Sequence, residues 1–396
     1  MKILDSKKKN FDSTLDNLLS KRKNKIKFNR NIVVNIIKDI KKNGDKALKK
    51  YEKQFSKNST IFLKPKEIKK QIKNLDKKVK KSIDLSYKRI FEFHLKQKVK
   101  NIYYKDKLQN KLSYKYIPLD SVGIYVPGGT ASYPSTVLMN AIPAIIAGVK
   151  RIVMVNPRNK GKQNSGVLYA AKKCGIKEIY SIGGAQAVAT LAYGTKKIIK
   201  VSKIVGPGNL YVTTAKKEIF GDVGIDMVAG PSEITVVGDK YSNPNWIASD
   251  LIAQAEHDEQ SQSILISKDK NIINKVKKLL FYQLNKLPRK SIAMKSLKSN
   301  GILINVSSDQ KLIEAINKIA PEHLELNIKN YKNYVNRITN AGSIFLGKYS
   351  TEAVGDYLAG TNHVLPTAGS AKFSSGLSVY DFYKRISYIN LSKKGI

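Results

Sequence analysis

The stretch SVGIYVPGGTASYPSTVLMNAIPAIIAGVKRIVMVNP, residues 121–157, decides the fold. A short apolar strand ends in Pro-Gly-Gly, and an apolar helix and a second apolar strand follow it. Beyond this stretch, strands and helices keep alternating with a spacing of roughly 25 residues. Such alternation predicts βαβ units and a parallel, doubly wound sheet. The nearly continuous apolar character of strands such as IVMV is typical of a sheet that is covered on both faces.

Two further regions flank this series. A second series of strands and helices begins near Gly224, which predicts more α/β structure. The first 115 residues or so are rich in lysine and predict helices, because apolar residues recur every three or four positions from Val33 to Ile40. The Asn43-Gly44 pair is expected to end that helix.

Length and composition limit the classes of protein to consider. At 396 residues the chain is long enough for two or three domains. Its single cysteine, Cys174, excludes a disulfide framework and a cysteine-based zinc cluster, and it suits a reducing compartment. The N-terminus resembles no signal peptide, and no run of about 18 apolar residues occurs. We therefore expect a cytoplasmic protein that has no membrane partner.

The net charge of +42 permits two interpretations. A strongly basic chain can bind nucleic acid or a membrane surface. Alternatively, the charge reflects a compositional bias, because lysine greatly outnumbers arginine and is abundant together with asparagine and isoleucine. The lysines lie on predicted helix faces and in turns rather than in a cluster of arginines and aromatic residues. This distribution favours compositional bias, so nucleic acid is not expected as a partner.

Glycines follow three strands of the first series, at Gly128-Gly129, Gly183-Gly184 and Gly206-Pro207-Gly208. Glycine lets backbone N–H groups approach a ligand, and a helix N-terminus favours anions. A dinucleotide is a suitable ligand, because open α/β sheets bind ligands outside the carboxyl ends of their strands. The spacing is not GxGxxG, however, so ordinary turns between strands and helices explain these glycines equally well.

Polar residues that could bind a metal follow in the second series. Gln254 and His257 are three residues apart on a predicted helix, so their side chains should share a face. Imidazole is the commonest metal ligand, and Asp356, in a later glycine-rich segment, is a suitable oxygen partner. Taken alone, a single histidine on an amphipathic helix is more often a surface or core residue.

A carboxylate and an imidazole adjoin at Glu322 and His323. Such a pair is typical of acid/base catalysis, and a turn at Pro321 would bring both side chains to one site. By itself a Glu-His pair is common and uninformative. His94 has no acidic or glycine-rich neighbours, which predicts a packing role.

Long motifs add a family resemblance. From about Val122 to about Gly395 the chain resembles histidinol dehydrogenases, through the motifs VGIYVPGG, GGAQAVATLAYG, KIVGPGN, DMVAGPSE, ASDLIAQAEHD, APEHLEL, AGSIFLG and GDYLAGTNHVLPT. The resemblance implies a zinc-dependent, NAD-linked, four-electron oxidation of L-histidinol to L-histidine through an enzyme-held aldehyde, L-histidinal. These are the last steps of histidine biosynthesis.

The resemblance also implies roles for individual residues. Glu322 and His323 would be the acid/base pair, in which His323 removes the alcohol proton and Glu322 activates the water that attacks the aldehyde. The other roles are Zn²⁺ ligation by Gln254, His257 and Asp356, NAD binding by Tyr125, Gln186 and Asn209, and substrate binding by Ser232, Gln254, His257, His323, Asp356 and His363.

The implied architecture is a homodimer whose chain forms two Rossmann-like, doubly wound α/β domains after a mainly helical, lysine-rich N-terminal segment. The predicted boundaries are an arm (1–20), a discontinuous domain with the metal and acid/base residues (21–124 plus 234–377), an NAD-binding domain (125–233) and the start of a tail (378–396). Family members continue past the equivalent of LSKKGI with a tail that supplies a glutamate for substrate and a histidine for zinc. A catalytically weakened homologue, or a basic binding protein, is therefore the alternative.

Overall fold

The computed structural model of the chain describes residues 1–24, 30–58, 60–128, 133–158 and 161–396. The chain divides into two units. The first unit comprises Met1–Phe28, Ala229–Asp356 and Leu365–Gly376, and the second comprises Asn29–Val228, Tyr357–Val364 and Leu377–Ile396.

A parallel five-stranded sheet forms the centre of the second unit, with the strand order β6-β5-β4-β7-β8. Its strands are β4 (Ser121–Tyr125), β5 (Arg151–Val155), β6 (Glu178–Tyr180), β7 (Lys203–Val205) and β8 (Gly224–Ile225). The helices between them are α5 (Pro134–Ala147), α6 (Ser165–Lys173), α7 (Gly184–Tyr193) and α8 (Leu210–Ile219). The chain leaves β4 toward one edge of the sheet and returns to β7 on its other side, which confirms the predicted doubly wound topology.

The lysine-rich helices of the N-terminal segment pack in the same unit. They are α2 (Arg30–Ser56), α3 (Pro65–Lys73) and α4 (Lys77–Leu95). Gly44 breaks α2 with φ 48° and ψ −123°, which confirms the predicted helix end. Because α2 packs on α7, and α4 on α5, residues 30–124 belong to the second unit. The boundaries predicted from the sequence place 21–124 with 234–377 instead.

A three-stranded antiparallel sheet completes the second unit, in the order β14-β3-β2. Its strands are β2 (Ile102–Lys105), β3 (Lys111–Pro118) and β14 (Tyr383–Asn390). The segment 378–396, predicted as the start of a tail, therefore supplies a strand that pairs along the whole of β3, from Tyr383 opposite Pro118 to Asn390 opposite Lys111.

A parallel six-stranded sheet forms the centre of the first unit, in the order β1-β11-β10-β9-β12-β13. Its strands are β1 (Lys2–Asp5), β9 (Glu233–Gly238), β10 (Gln262–Ser267), β11 (Ile302–Asn305), β12 (His323–Asn327) and β13 (Ser343–Leu346). The helices are α1 (Phe11–Asn24), α9 (Pro244–Ala255), α10 (Lys270–Leu284), α11 (Lys290–Asn300), α12 (Asp309–Ile319), α13 (Lys332–Val335) and α14 (Glu352–Tyr357). Two apolar cores, one on each face, bury the central strands completely. Residues 1–20, predicted as an arm, contribute the edge strand β1 and most of α1.

Among the described residues, none of the helices has the length and apolar content that a membrane span requires.

Candidate active site

The predicted acid/base pair lies at the start of β12, which is next to the edge strand β13 in the first unit's sheet. Glu322 and His323 are both buried. Because β12 pairs with β9, the backbone of Glu233 lies beside both residues. Its N–H donates to Glu322 Oε2 at 2.7 Å, and its carbonyl lies 2.9 Å from His323 Nδ1. His323 Nδ1 is 3.7 Å from Glu322 Oε2, so the two predicted residues do converge.

The contact with Glu233 sets the tautomer of His323. A carbonyl oxygen can only accept a hydrogen bond, so Nδ1 carries a proton and Nε2 is the basic nitrogen of the neutral ring. Nε2 lies 3.5 Å from Asp356 Oδ1. Burial disfavours the imidazolium, but the carboxylates of Glu322 and Asp356 outweigh it and raise the pKa of His323 to about 10. Burial also raises the pKa of Glu322 to about 8, against the effect of His323.

A group of side chains that could hold a metal ion surrounds His323 Nε2. Ligand atoms of His323, Glu352 and Asp356 all lie within 4.8 Å of one another. Glu352 and Asp356 are four residues apart on the short helix α14, so they share a face. Asp356 was predicted as a ligand, whereas Glu352 was not, although this spacing was available as a signal.

Gln254 is fully buried in α9, at 0% exposure. Neither Nε2 nor Oε1 of its amide has a hydrogen-bond partner among the described residues. A buried amide without partners is costly in free energy. Such a group is expected where it serves a ligand, which agrees with its predicted role at a metal.

His257 lies just beyond the helix that was predicted to carry it. The helix α9 ends at Ala255, earlier than expected, and His257 lies in the turn that follows. The His257 N–H donates to the Gln254 carbonyl at 3.3 Å. This hydrogen bond keeps the backbones of His257 and Gln254 close together. His257 is exposed at the surface, yet desolvation by the protein around it lowers its pKa, and Asp356 opposes this effect.

Two further carboxylates, Asp250 and Glu325, lie close to Glu352. Burial raises the pKa of Asp250 to about 6 and that of Glu352 to about 7, and it raises the pKa of Glu325 well above its ordinary value. Glu325 Oε1 accepts the N–H of Glu352 at 2.7 Å. Carboxylates held together in this way repel one another, and a bound divalent cation relieves that repulsion. Glu325 was missed because the strand HLELN alternates leucines with polar residues, a pattern that predicts polar side chains facing solvent.

The predicted coenzyme residues lie in the second unit, and two of them meet at the N-terminus of α7. The buried hydroxyl of Tyr125 accepts the Gly184 N–H at 3.0 Å, and burial raises its pKa to about 12. Gln186 lies in the first turn of α7, and its Nε2 donates to Glu52 at 2.9 Å. Glu52 was not predicted, because it lies in a lysine-rich helix far from these residues in sequence.

The glycine turns differ from expectation in one respect. The N–H groups of Gly183 and Gly184 donate to Glu52 and to Tyr125, and the Gly206 N–H donates to Asp226 at 2.7 Å. These donors are therefore satisfied by the protein rather than left open for an anion. Gly129 lies outside the described residues.

Asn209 follows the third glycine turn and caps α8, where its Oδ1 accepts the Val212 N–H at 3.2 Å. The side chain lies on the surface. Since β4 and β7 are neighbours in a parallel sheet, Tyr125 and the turn that leads to Asn209 leave the same edge of that sheet.

The predicted substrate residues fall in different units. Ser232 is half-buried at the turn before β9, and His363 is half-buried in the segment Tyr357–Val364. The predicted packing role of His94 is confirmed, since it is fully buried and its Nδ1 lies 2.8 Å from the Ile90 carbonyl. Its Nε2 lies 3.4 Å from the amide nitrogen of Asn362, next to His363 in the chain.

Comparison with known proteins shows the family to which the chain belongs. The histidinol dehydrogenase family model matches residues 19–396. The chain belongs to the histidinol dehydrogenase family. It is 68% identical over 397 aligned residues to the histidinol dehydrogenase of Pelagibacter ubique (strain HTCC1062), covering 100% of this chain and 93% of the relative. The histidinol dehydrogenase of Nitrosomonas europaea is 46% identical, with coverage of 99% and 92%.

A crystal structure of histidinol dehydrogenase from Elizabethkingia anophelis superposes with a TM-score of 0.93 at 40% identity, covering 100% of this chain and 91% of that one. Membership in the histidinol dehydrogenase family confirms the resemblance seen in the motifs and the predicted fold class. It makes the chain an oxidoreductase of histidine biosynthesis. The alternative of a weakened homologue or a basic binding protein is not favoured at this level of identity over the whole chain.

Proposed function

We propose that this chain oxidises L-histidinol to L-histidine through L-histidinal, with Zn²⁺ and NAD as cofactors. The observation that carries the proposal is the buried pair Glu322 and His323, with Asp356 beside its basic nitrogen. The two oxidations consume one water and deliver two hydrides. NAD, when bound, accepts these hydrides, so each histidine formed corresponds to two NADH.

The donor set of the first unit fits a zinc ion. Zinc accepts nitrogen and oxygen ligands in proteins, and a catalytic site keeps one position open. Gln254 and Asp356 offer oxygen atoms and His257 offers nitrogen. The Gln254 amide has no partner among the described residues, which is explained if its oxygen binds a cation. Zinc, when bound, supplies a Lewis acid that orients and polarises the substrate.

His323 is suited to remove the alcohol proton. Its Nδ1–H is fixed by the Glu233 carbonyl, so Nε2 is the atom that takes the proton as negative charge develops on the alcohol oxygen. The surrounding carboxylates raise its pKa to about 10. Asp356 contributes part of that rise, so a cation that neutralises Asp356 would lower the pKa of His323 and favour its neutral form.

Glu322 is suited to act in the second oxidation. Its carboxyl is buried and held by the Glu233 N–H, and its pKa is raised to about 8. A base with a pKa near the working pH removes a proton from water efficiently. We assign Glu322 to the water that attacks the aldehyde, which separates its work from that of His323.

The coenzyme and substrate assignments rest on the second unit as well. Tyr125, Gln186 and Asn209 are proposed as NAD contacts, because they lie at the carboxyl end of a parallel strand or at the start of the following helix, where α/β sheets bind ligands. Ser232 and His363 are proposed as substrate contacts.

We also propose a homodimer. The three-stranded sheet β14-β3-β2 exposes many large apolar side chains, and such patches mark protein–protein contacts. The exposed residues are Ile102, Tyr103, Tyr104, Leu112, Tyr114, Ile386, Tyr388, Ile389 and Leu391. Sedimentation at micromolar concentration tests this, and a monomer there would contradict it.

The activity is tested by mixing the zinc-loaded protein with histidinol and NAD and following NADH and histidine. Glu322→Gln should slow the oxidation of added histidinal by about 100-fold or more, the usual contribution of a general base, and should slow the alcohol step less. Glu314→Gln, a surface change on α12 that faces Lys311, is the matched control. A folded, zinc-loaded wild-type protein that forms no NADH would refute the proposal.

The metal assignment has a test that does not depend on turnover. Gln254→Leu removes an amide with no partner among the described residues, so it should lower the zinc retained after dialysis against a weak chelator. The same change should leave the metal-free protein as stable as the wild type or more stable, because a buried polar group is lost. Unchanged zinc content would remove Gln254 from the ligand set.

A further inference from the structure

A carboxylate from the N-terminal helices reaches the predicted coenzyme residues. Glu52 lies in α2, a helix rich in lysine, and it is fully buried at 0% exposure. Its Oε1 accepts two hydrogen bonds, from the Gly183 N–H at 3.0 Å and from Gln186 Nε2 at 2.9 Å. Gln186 lies in the first turn of α7, and Gly183 directly precedes that helix.

The first consequence concerns the N-terminus of α7. The leading N–H groups of a helix have no partner within it and often bind a phosphate. Here Glu52 accepts the Gly183 N–H, and the Tyr125 hydroxyl accepts the Gly184 N–H. A carboxylate of the protein thus takes the place that a phosphate takes in many nucleotide-binding helices, so the diphosphate of a coenzyme is not expected there.

The second consequence concerns the orientation of Gln186. A carboxylate can accept but not donate, so only the nitrogen of the amide can face Glu52. Oε1 is thereby turned the other way, over Gly184, where an added Cβ would lie 2.7 Å from it. Gly184 also has φ +65°, a conformation that favours glycine. Gln186 therefore presents its oxygen, in a fixed orientation, as a hydrogen-bond acceptor.

Packing alone gives no reason for a carboxylate at this position. The helices α2 and α7 pack together and include the buried Ala47, Leu48 and Val188, while the exposed Lys41 of α2 lies over the Tyr193 ring of α7. An ionisable group buried in such a contact is unfavourable. Burial raises the pKa of Glu52, and the bonds from Gly183 and Gln186 oppose the rise.

We propose that Glu52 is a positioning residue for the coenzyme, which fixes the amide of Gln186 and closes the N-terminus of α7 to phosphate. The proposal rests on the function proposed above, in which Tyr125 and Gln186 bind NAD. The chemistry that Gln186 would then recognise is a hydrogen-bond donor, such as a ribose hydroxyl or an amide N–H of the nucleotide.

The test compares Glu52→Gln with Asp45→Asn. Asp45 lies in the same helix, and its replacement removes the same charge. With Gln at position 52, two amide side chains face each other, so Gln186 can bond in either orientation. The charged acceptor of the Gln186 and Gly183 N–H groups is lost as well. The KM for NAD should rise by about 10-fold, the effect of one hydrogen bond to a charged group. The kcat and the KM for histidinol should stay within about twofold of the wild type, and Asp45→Asn should change none of these values.

Equilibrium binding of NAD without histidinol gives a readout that does not depend on catalysis, and the dissociation constant should rise as the KM does. Glu52→Gln should add little to the loss in a Gln186→Ala background, because the effect passes through Gln186. If Glu52→Gln fails to fold, Glu52→Asp, whose shorter side chain cannot reach both donors, is measured instead.

The outcomes separate the two proposals. A wild-type protein that does not oxidise histidinol refutes the proposed function. A wild-type protein that does, with a Glu52→Gln variant that keeps its coenzyme KM and loses only thermal stability, refutes the positioning role. Equal losses in the wild-type and Gln186→Ala backgrounds refute it as well.

Discussion

Asp226→Asn should destabilise the second unit much more than Lys216→Met, although the two residues form one ion pair. Both side chains are almost completely buried, at 3% exposure for Lys216 and 1% for Asp226. The pair holds the turn after β7, because the Asp226 carboxylate accepts the N–H groups of Gly206 at 2.7 Å and Met227 at 2.6 Å. Lys216 Nζ donates to the Gly206 carbonyl at 3.0 Å.

The magnitudes follow from what each substitution leaves behind. Asn at position 226 leaves the Lys216 ammonium buried with one neutral acceptor, and Lys203 loses a nearby carboxylate that supports its charge. Removing one partner of a buried pair costs about 3–5 kcal/mol. Met at position 216 leaves Asp226 with two backbone donors, so we expect a loss of about 2 kcal/mol. The double variant contains neither charge and should be more stable than Asp226→Asn alone.

Urea unfolding followed by far-UV circular dichroism measures these differences. The control is Asp120→Asn, which breaks a surface pair with Lys384 whose aspartate is 84% exposed, and which should change the free energy of unfolding by less than about 1 kcal/mol. A free energy of unfolding for Asp226→Asn that matches that of this control would contradict the prediction. The prediction also fails if Lys216→Met is the more damaging change, or if the double variant is the least stable of the three.

Two further predictions concern a glycine turn and a buried acid. Gly206→Ala should raise the KM for NAD, because an added Cβ would collide with the backbone oxygen at the end of β4. The control is Gly221→Ala, since Gly221 has nearly the same φ, +108° against +109°, but an added Cβ there would have nothing within 4 Å. That control should cost only about 1–3 kcal/mol of backbone strain. Equal kinetic effects of the two changes would contradict this. Asp250→Asn should stabilise the metal-free protein at pH 8 by about 1–3 kcal/mol, since burial raises the pKa of Asp250 from 3.8 to about 6. A carboxyl whose pKa is raised by folding destabilises the folded protein only when it must ionise, so wild-type stability is full below the unfolded pKa and falls as pH rises toward 6. The stability gained by Asp250→Asn should therefore vanish near pH 4, as measured by thermal unfolding with a chelator. A gain at pH 4 equal to the gain at pH 8 would refute this prediction.

The two sheets could be predicted from the sequence because their signals are local. Each buried strand is a short apolar run. Between one strand and the next lies a segment with apolar residues every three or four positions, which indicates a helix. The break at Gly44 was equally local, because only glycine readily adopts the backbone found there. That the Glu322 and His323 side chains lie close together could be predicted as well, because the turn expected at Pro321 is a local signal.

Long-range contacts could not be predicted in the same way. The partners of Glu52 are 131 and 134 residues away in the chain, and nothing near Glu52 distinguishes it from a solvent-exposed glutamate. The end of α9 at Ala255 has no glycine or proline to mark it. Glu325 alternates with Leu324 and Leu326 as an exposed strand residue would, but a sheet covered on both faces buries all three.

The buried polar groups of the second unit have partners within the protein, whereas several of those in the first unit repel one another or have no partner among the described residues. In the second unit, the turns that carry the proposed coenzyme residues are held by internal partners, with Glu52 on Gly183 and Asp226 on Gly206. In the first unit, carboxylates crowd around His323, and the amide of Gln254 has no partner among the described residues. Repulsion between buried charges costs free energy unless a cation offsets it. Metal binding should therefore stabilise the first unit strongly, because it relieves this repulsion. The residues proposed to bind the coenzyme are already held by internal partners, so coenzyme binding should change the stability of the second unit less.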